Sequence, residues 1–173
     1  FDEATETGIV LVEWPERASH TERAANLRLE LRDAPGGGRH AHLRTTAEAA
    51  RRVSRTLRAR GFLGEAGFGE ARRRPFPGDA SARRYETASE PGAAPMVLMD
   101  SPRSPLGPPV RDGRSYAEIA HLAREVAPFV AVAGALERAG LAVPRILHAD
   151  LDAGFVLMTD LGREGVLDSE GRP

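Results

Sequence analysis

The chain has 173 residues, a formal net charge of −1 and no cysteine, which excludes a disulfide scaffold and any thiolate metal site. All 24 basic residues are arginine, so no intact Walker A motif exists and no kinase-type lysine can stand on a third strand. No apolar run approaches the ~18 residues needed to span a bilayer, and the expected compartment is the cytoplasm, with no membrane partner.

The charge is unevenly spread. Residues 1–50 carry 6 Arg against 9 acids, residues 51–84 carry 10 against 3, and residues 85–173 carry 8 against 13. The central basic block suits phosphates or nucleic acid, or simply a solvated helix face.

In chain order, Gly8–Trp14 (GIVLVEW) reads as a short buried strand ending at Pro15. Leu27–Arg32 alternates strictly and reads as a half-buried strand, followed by a loop over APGGGRH. Residues 8–32 are thus expected to form a separate strand pair. Thr45-Thr46-Ala47-Glu48 is a capping-box pattern with Thr45 as N-cap, and the helix it opens carries Ala50, Val53 and Leu57 before stopping at Gly61. Residues 62–78 read as loop or weak strand. Residues 81–87 and 95–100 read as strands joined by a turn at Glu90-Pro91-Gly92, and the proline-rich stretch 101–114 as an exposed connection.

A second capping box, Ser115-Tyr116-Ala117-Glu118, opens a helix with Ile119, Leu122, Ala123 and Val126 as its buried stripe. Pro128 suits the first turn of the next helix, which Val132, Leu136 and Ala139 continue to Gly140. Residues 145–150 and 154–159 read as strands joined by a tight turn at Asp152-Ala153-Gly154. No internal repeat is visible.

The segment FPGDASARRYE at 76–86 resembles the nucleotide-binding loop of the aminoglycoside phosphotransferase family, in the branch of cell-wall sugar kinases acting on N-acetylmuramate and N-acetylglucosamine. MVLMDSP at 96–102, the helix through FVAVAGALERAGLAVPRIL, and ADLDAGFVLMTDLG at 149–162 agree with that branch in order and spacing. The resemblance covers roughly residues 45–165. It implies an α+β, kinase-like N-terminal lobe over 41–173, an antiparallel sheet with packed helices. It also implies ATP and Mg2+ as cofactors and an amino-sugar substrate. Gly78, Asp79, Ala80 and Ser81 would cradle phosphate oxygens by backbone N–H groups, with Arg83 and Arg84 adding charge. Leu98, Val156 and Met158 would wall an adenine pocket, and Thr159, Asp160 and Leu161 would form the hinge that holds the base. The resemblance leaves the magnesium ligands and the catalytic base unassigned within the chain.

The first forty residues resemble something else. GIVLVEWPERA is similar to the C-terminal part of TsaE, the ATPase of bacterial tRNA threonylcarbamoyladenosine synthesis. That implies residues 1–40 are a remnant strand pair of a P-loop-type α/β domain, with Glu13 and Trp14 lining a nucleotide site and tRNA-modification partners nearby. Alternatively, Trp14 is a buried ring closing a small sheet. The chain then reads as a window across a fusion, inactive by itself. A third reading is a nucleic-acid-binding module on 51–84, disfavoured by its lack of aromatic/basic alternation; no DNA partner is expected. His148-Ala149-Asp150 mimics a catalytic loop, but Phe155 stands where that loop needs Asn. His20, His40, His42 and His121 have no metal-site spacing.

Overall fold

A computed structural model describes residues 10–17, 25–76 and 83–162. It divides into two compact units, residues 1–57 and 58–173.

In the first unit, β1 (Leu27–Asp33) pairs antiparallel with β2 (Arg39–Thr45), Leu29 opposite Leu43 and Leu31 opposite Ala41. Glycines 36, 37 and 38 all take positive φ in the connection, which is what glycine tolerates without strain. The expected strand at 8–14 is absent from its described part. Residues 10–14 are irregular, Trp14 has φ 56° and is 66% exposed, and a 3-10 turn follows at Pro15–Arg17. Among the described residues the strand pair is therefore 27–33 with 39–45 rather than one within 8–32, and position 40/41 falls inside β2. Local hairpin closure wins here, because β1 finds its partner six residues away.

Helix α1 (Ala47–Glu65) departs from expectation at both ends. Thr46, not Thr45, caps it: Ala49 N–H donates to Thr46 Oγ1 at 3.3 Å, while the Thr45 hydroxyl donates to the Asn26 carbonyl at 2.7 Å. Gly61 does not stop it, because Ala59, Phe62 and Leu63 are buried on one face and burial outweighs a glycine's ~1 kcal/mol cost. The stop is Gly67, with φ 82°, where Gly67 N–H donates to Gly64 C=O and Phe68 N–H to Leu63 C=O, a Schellman closure.

The second unit is built on a five-stranded antiparallel sheet. Its strands are β3 (Arg72–Pro75), β4 (Arg84–Ser89), β5 (Met96–Asp100), β8 (Ile146–Asp150) and β9 (Phe155–Thr159), in spatial order β3-β4-β5-β9-β8. Between β5 and β8 lie the small hairpin of β6 (Pro109–Arg111) and β7 (Arg114–Ser115), then α2 (Tyr116–Ile119) and α3 (Ala127–Arg138). The second capping box is formed as expected: Ser115 Oγ accepts from Glu118 N–H, and the Glu118 carboxylate accepts from Ser115 N–H at 2.8 Å. Its helix is a single turn, however. His121 takes φ 52°, Leu122 is 53% exposed, and of the expected stripe only Val126 is buried. In α3, Pro128 sits in the first turn and Ala133 is buried, whereas Val132 and Leu136 face solvent.

The pleat separates two cores. On one face Ala88, Leu98, Phe155 and Leu157 pack with Ala59, Phe62 and Leu63 of α1. On the other, Val97, Met99, Val156 and Met158 pack with Val126, Phe129 and Val130 around the start of α3. The architecture is mixed α+β with antiparallel sheets, compatible with an amino-terminal kinase lobe.

Candidate functional site

The sheet has two chemically distinct ends. At one end β3 stops at Pro75 and β4 begins at Arg84; Asp100 closes β5 and Phe155 opens β9. The stems at this end are fastened. Phe76 N–H donates to the Tyr85 carbonyl at 2.9 Å, and the two rings stack with centroids 6.4 Å apart. Gly78, Asp79, Ala80 and Ser81 lie outside the described residues.

Arg83 and Arg84 part company. The Arg83 guanidinium lies over the Phe129 ring, 5.8 Å from its centroid, on the α3 side of the sheet with Tyr85. Arg84 is exposed and stands opposite Asp100, its pleat position shared with Glu86 and Ala88 on the α1 side. Asp100 is 8% exposed and Phe155 is 1% exposed at the same level.

At the other end β9 runs out through Thr159 into Asp160 and Leu161. Thr159 is committed to its neighbour: its N–H donates to the Arg145 carbonyl at 3.0 Å, and its hydroxyl accepts from Arg145 N–H at 2.9 Å. The Asp160 carboxylate accepts from Gly162 N–H at 2.9 Å, closing a local turn. Leu161 is 64% exposed.

Leu98 and Met158 do not come together. Leu98 pairs with Leu157 and faces α1, while Met158 pairs with Val97 and faces α3. They lie on opposite sides of one sheet, so a single pocket cannot be walled by both. Val97, Met99, Val156 and Met158 are the set that shares a side; alternation separates Leu98 from Val97 and Met99, but the register with β9 is what puts Met158 on their side.

The remaining candidates have local roles. His148 stacks on Phe62 at 4.9 Å, with its Nε2 3.7 Å from a Glu65 carboxylate oxygen. Asp150 caps the β8–β9 turn, its Oδ1 accepting from Ala153 N–H at 2.7 Å. His148-Ala149-Asp150 thus belongs to strand packing and a turn. Glu13 and Trp14 are exposed; the Trp14 ring carries the Arg17 guanidinium 5.6 Å from its centroid and closes no sheet. Within the basic block, Arg73 is half-buried and paired through two nitrogens with Glu86, and Arg60 lies 3.5 Å from Glu70. Among the described residues no group of three His, Asp or Glu side chains is placed to hold a metal ion. No described helix is long and apolar enough to cross a membrane.

No protein-family model matches the chain, and no solved structure matches it. Two curated proteins do. The chain is 39% identical over 110 residues to an N-acetylmuramate/N-acetylglucosamine kinase of Caulobacter vibrioides, covering 58% of this chain and 30% of the relative. It is 44% identical over 94 residues to a protein of the same name from Pseudomonas aeruginosa, covering 54% of this chain and 22% of the relative. Both names describe kinases, and neither concerns tRNA modification. The chain spans less than a third of the length of the curated relatives it matches.

Proposed function

We propose that the second unit is the nucleotide-binding lobe of an ATP-dependent phosphotransferase whose acceptor is a hydroxyl of N-acetylmuramate or N-acetylglucosamine. The observation that carries this reading is the 39–44% identity to kinases of that name. The five-stranded sheet supports it by offering a cationic end and a backbone end on one side. Arg83 stands at the first, and Met158 with the chain leaving β9 at the second.

Register gives the spacing. Thr87, Val97 and Met158 are aligned across β4, β5 and β9. Arg83 lies four residues before Thr87, or ~13 Å along the strand. That separation suits an extended nucleoside triphosphate, with its base near Met158 and its phosphates near Arg83. Thr159 has already spent its N–H, so the base is held by the backbone of Asp160 and Leu161. Leu98 acts indirectly, by packing β5 onto α1. In this reading Gly78, Asp79, Ala80 and Ser81 cover the phosphates, Arg83 is the principal phosphate contact, and Arg84 serves the rim.

ATP fits this donor set, a guanidinium at one end and backbone groups at the other. Mg2+ finds no three-ligand group among the described residues. Charge placed by Arg83 stabilises the phosphoryl group during transfer and needs no covalent contribution from the protein.

Two measurements test the reading. The full-length protein should phosphorylate at least one of the two amino sugars in an ATP-dependent manner; no product with either overturns the substrate assignment. Arg83→Ala should weaken ATP binding roughly ten- to a hundred-fold, as expected for the loss of ~1.5–3 kcal/mol of charge-assisted hydrogen bonding. Adenosine binding should barely change. Arg84→Ala should have a smaller effect, and ATP affinity unchanged in both variants removes the phosphate assignment.

A further inference from the structure

We propose that Phe129 is a positioning residue: its ring holds the Arg83 guanidinium at the phosphate end of the site. This inference rests on the reading of Arg83 as the phosphate contact and adds the means by which that contact is prepared.

The geometry is specific. Arg83 is the last residue before β4, and its guanidinium carbon is 5.8 Å from the Phe129 ring centroid, within cation–π range. Phe129 is itself fixed. It lies in the first turn of α3 directly after Pro128, half-buried, against the cluster of Val97, Met99, Val126, Val156 and Met158. The ring is thus a platform attached to the core, and the arginine lies on it.

A platform matters because arginine loses considerable rotamer freedom when it is immobilised. A guanidinium already resting on a ring has lost part of that freedom before a ligand arrives, which raises affinity through preorganisation. The two interactions do not compete. The cation–π attraction acts on the guanidinium charge, while hydrogen bonds to phosphate oxygens use its N–H donors.

An ion pair from the same helix cannot do this work. The one acid on α3 is Glu137, eight residues or ~12 Å of helix beyond Phe129. Glu125, just before α3, lies 3.7 Å from Arg103 instead. Phe129 is the group of α3 shown against the guanidinium, and the contact is through an aromatic face.

The test compares Phe129→Leu, which keeps an apolar side chain but no ring, with Phe129→Tyr, which keeps the ring. Both are made in the full-length protein alone and with Arg83→Ala, and ATP and adenosine affinities are measured by calorimetry beside thermal melting. Phe129→Leu should weaken ATP about two- to five-fold, the size of an exposed cation–π contact, and leave adenosine unchanged. Phe129→Tyr should bind ATP like the parent, and Phe129→Leu should cost nothing further once Arg83 is alanine. If Arg83→Ala weakens ATP but Phe129→Leu does not, Phe129 has no positioning role while the phosphate assignment stands. If Arg83→Ala binds ATP like the parent, both fall. If Phe129→Leu weakens ATP and adenosine equally, or Phe129→Tyr fails to restore ATP binding, the ring is packing only and the inference is overturned.

Discussion

Among the described glycines, Gly154 has the least room. It has φ 75°, and its carbonyl accepts from Ser101 N–H at 2.9 Å. A Cβ built there would stand 2.2 Å from the Ser101 carbonyl oxygen and 2.8 Å from its carbonyl carbon, both backbone atoms that cannot swing aside. Gly92 has a similar φ of 78° but nothing within 4 Å of its Cβ position. Gly92→Ala should therefore cost only the left-handed backbone penalty, ~1–2 kcal/mol. Gly154→Ala should cost more, ~3 kcal/mol or above, because steric displacement is added. Urea unfolding of the two variants measures the difference, and equal losses would refute the close approach. Glu118 offers a second residue-level test. Hydrogen bonds from the Ser115 backbone N–H and then the Ser115 hydroxyl hold its carboxyl below the ordinary glutamate range. A carboxylate with a lowered folded value stabilises fully above the unfolded value and stops stabilising as pH falls through the folded one. An NMR titration should find Glu118 below an ordinary exposed glutamate, with the α2 amides losing protection in acid. In Ser115→Ala the titration should move back toward the usual value.

Among the elements, α1 is fastened by a few residues of its C-terminal half. Phe62 is 4% exposed and stacks on both His148 at 4.9 Å and Phe155 at 5.4 Å. Phe62→Ala should lose ~3–5 kcal/mol of unfolding stability by calorimetry, whereas Leu57→Ala, at a position 63% exposed, should stay within ~0.5 kcal/mol. This contrast also explains what could be read in advance. The strands expected at 95–100, 145–150 and 154–159 were legible because apolar runs are bounded by turn residues such as Gly92 and Gly154, whereas the one expected at 81–87 has no apolar run and its strand is 84–89. The end of α1 was not legible, since a glycine at 61 looks like a stop until Phe62 and Leu63 are seen to be buried. The strand at 8–14 looked equally strong, but an apolar run needs a partner, and β1 has β2. For the proposed site, Arg83, Met158 and the residues after β9 were suggested by the family resemblance, because no residue pattern of their own marks them. The sequence could not place Leu98, because MVLMD is apolar at four consecutive positions and hides which side each faces. It also gave no sign of Phe129, which meets Arg83 only through tertiary packing.

Across the whole molecule, stability should be uneven. In β1 and β2 every side chain but Thr45 is exposed, with Leu27, Leu29, Leu31 and Leu43 on one face. Two-stranded hairpins with solvent on both faces are marginal, whereas β5 and β9 are central strands with buried side chains on both sides. Hydrogen exchange should therefore run much faster across 27–45 than across 96–100 and 155–159. Equal protection in the two regions would show that the hairpin has a partner surface in solution. Salt should matter little to this ranking, as the ion pairs of the hairpin, Arg32–Glu30 and Arg39–Asp33, are exposed.

The two-sided burial of β5 and β9 has a consequence for how this chain can change in length. In a half-buried strand, gaining or losing one residue in a turn throws polar side chains inward, and hydrophobicity alone forbids it. Here both orientations would bury methionine, valine and leucine, so that penalty is small. What keeps the frame is the junction where Gly154 meets Ser101, the Arg73–Glu86 pair at the outer strand, and the turn at Gly92. Insertions and deletions should thus be excluded from 90–95 and 151–154. The exposed stretch 105–108, which precedes β6 and where no strand's parity is at stake, is free to grow or shrink.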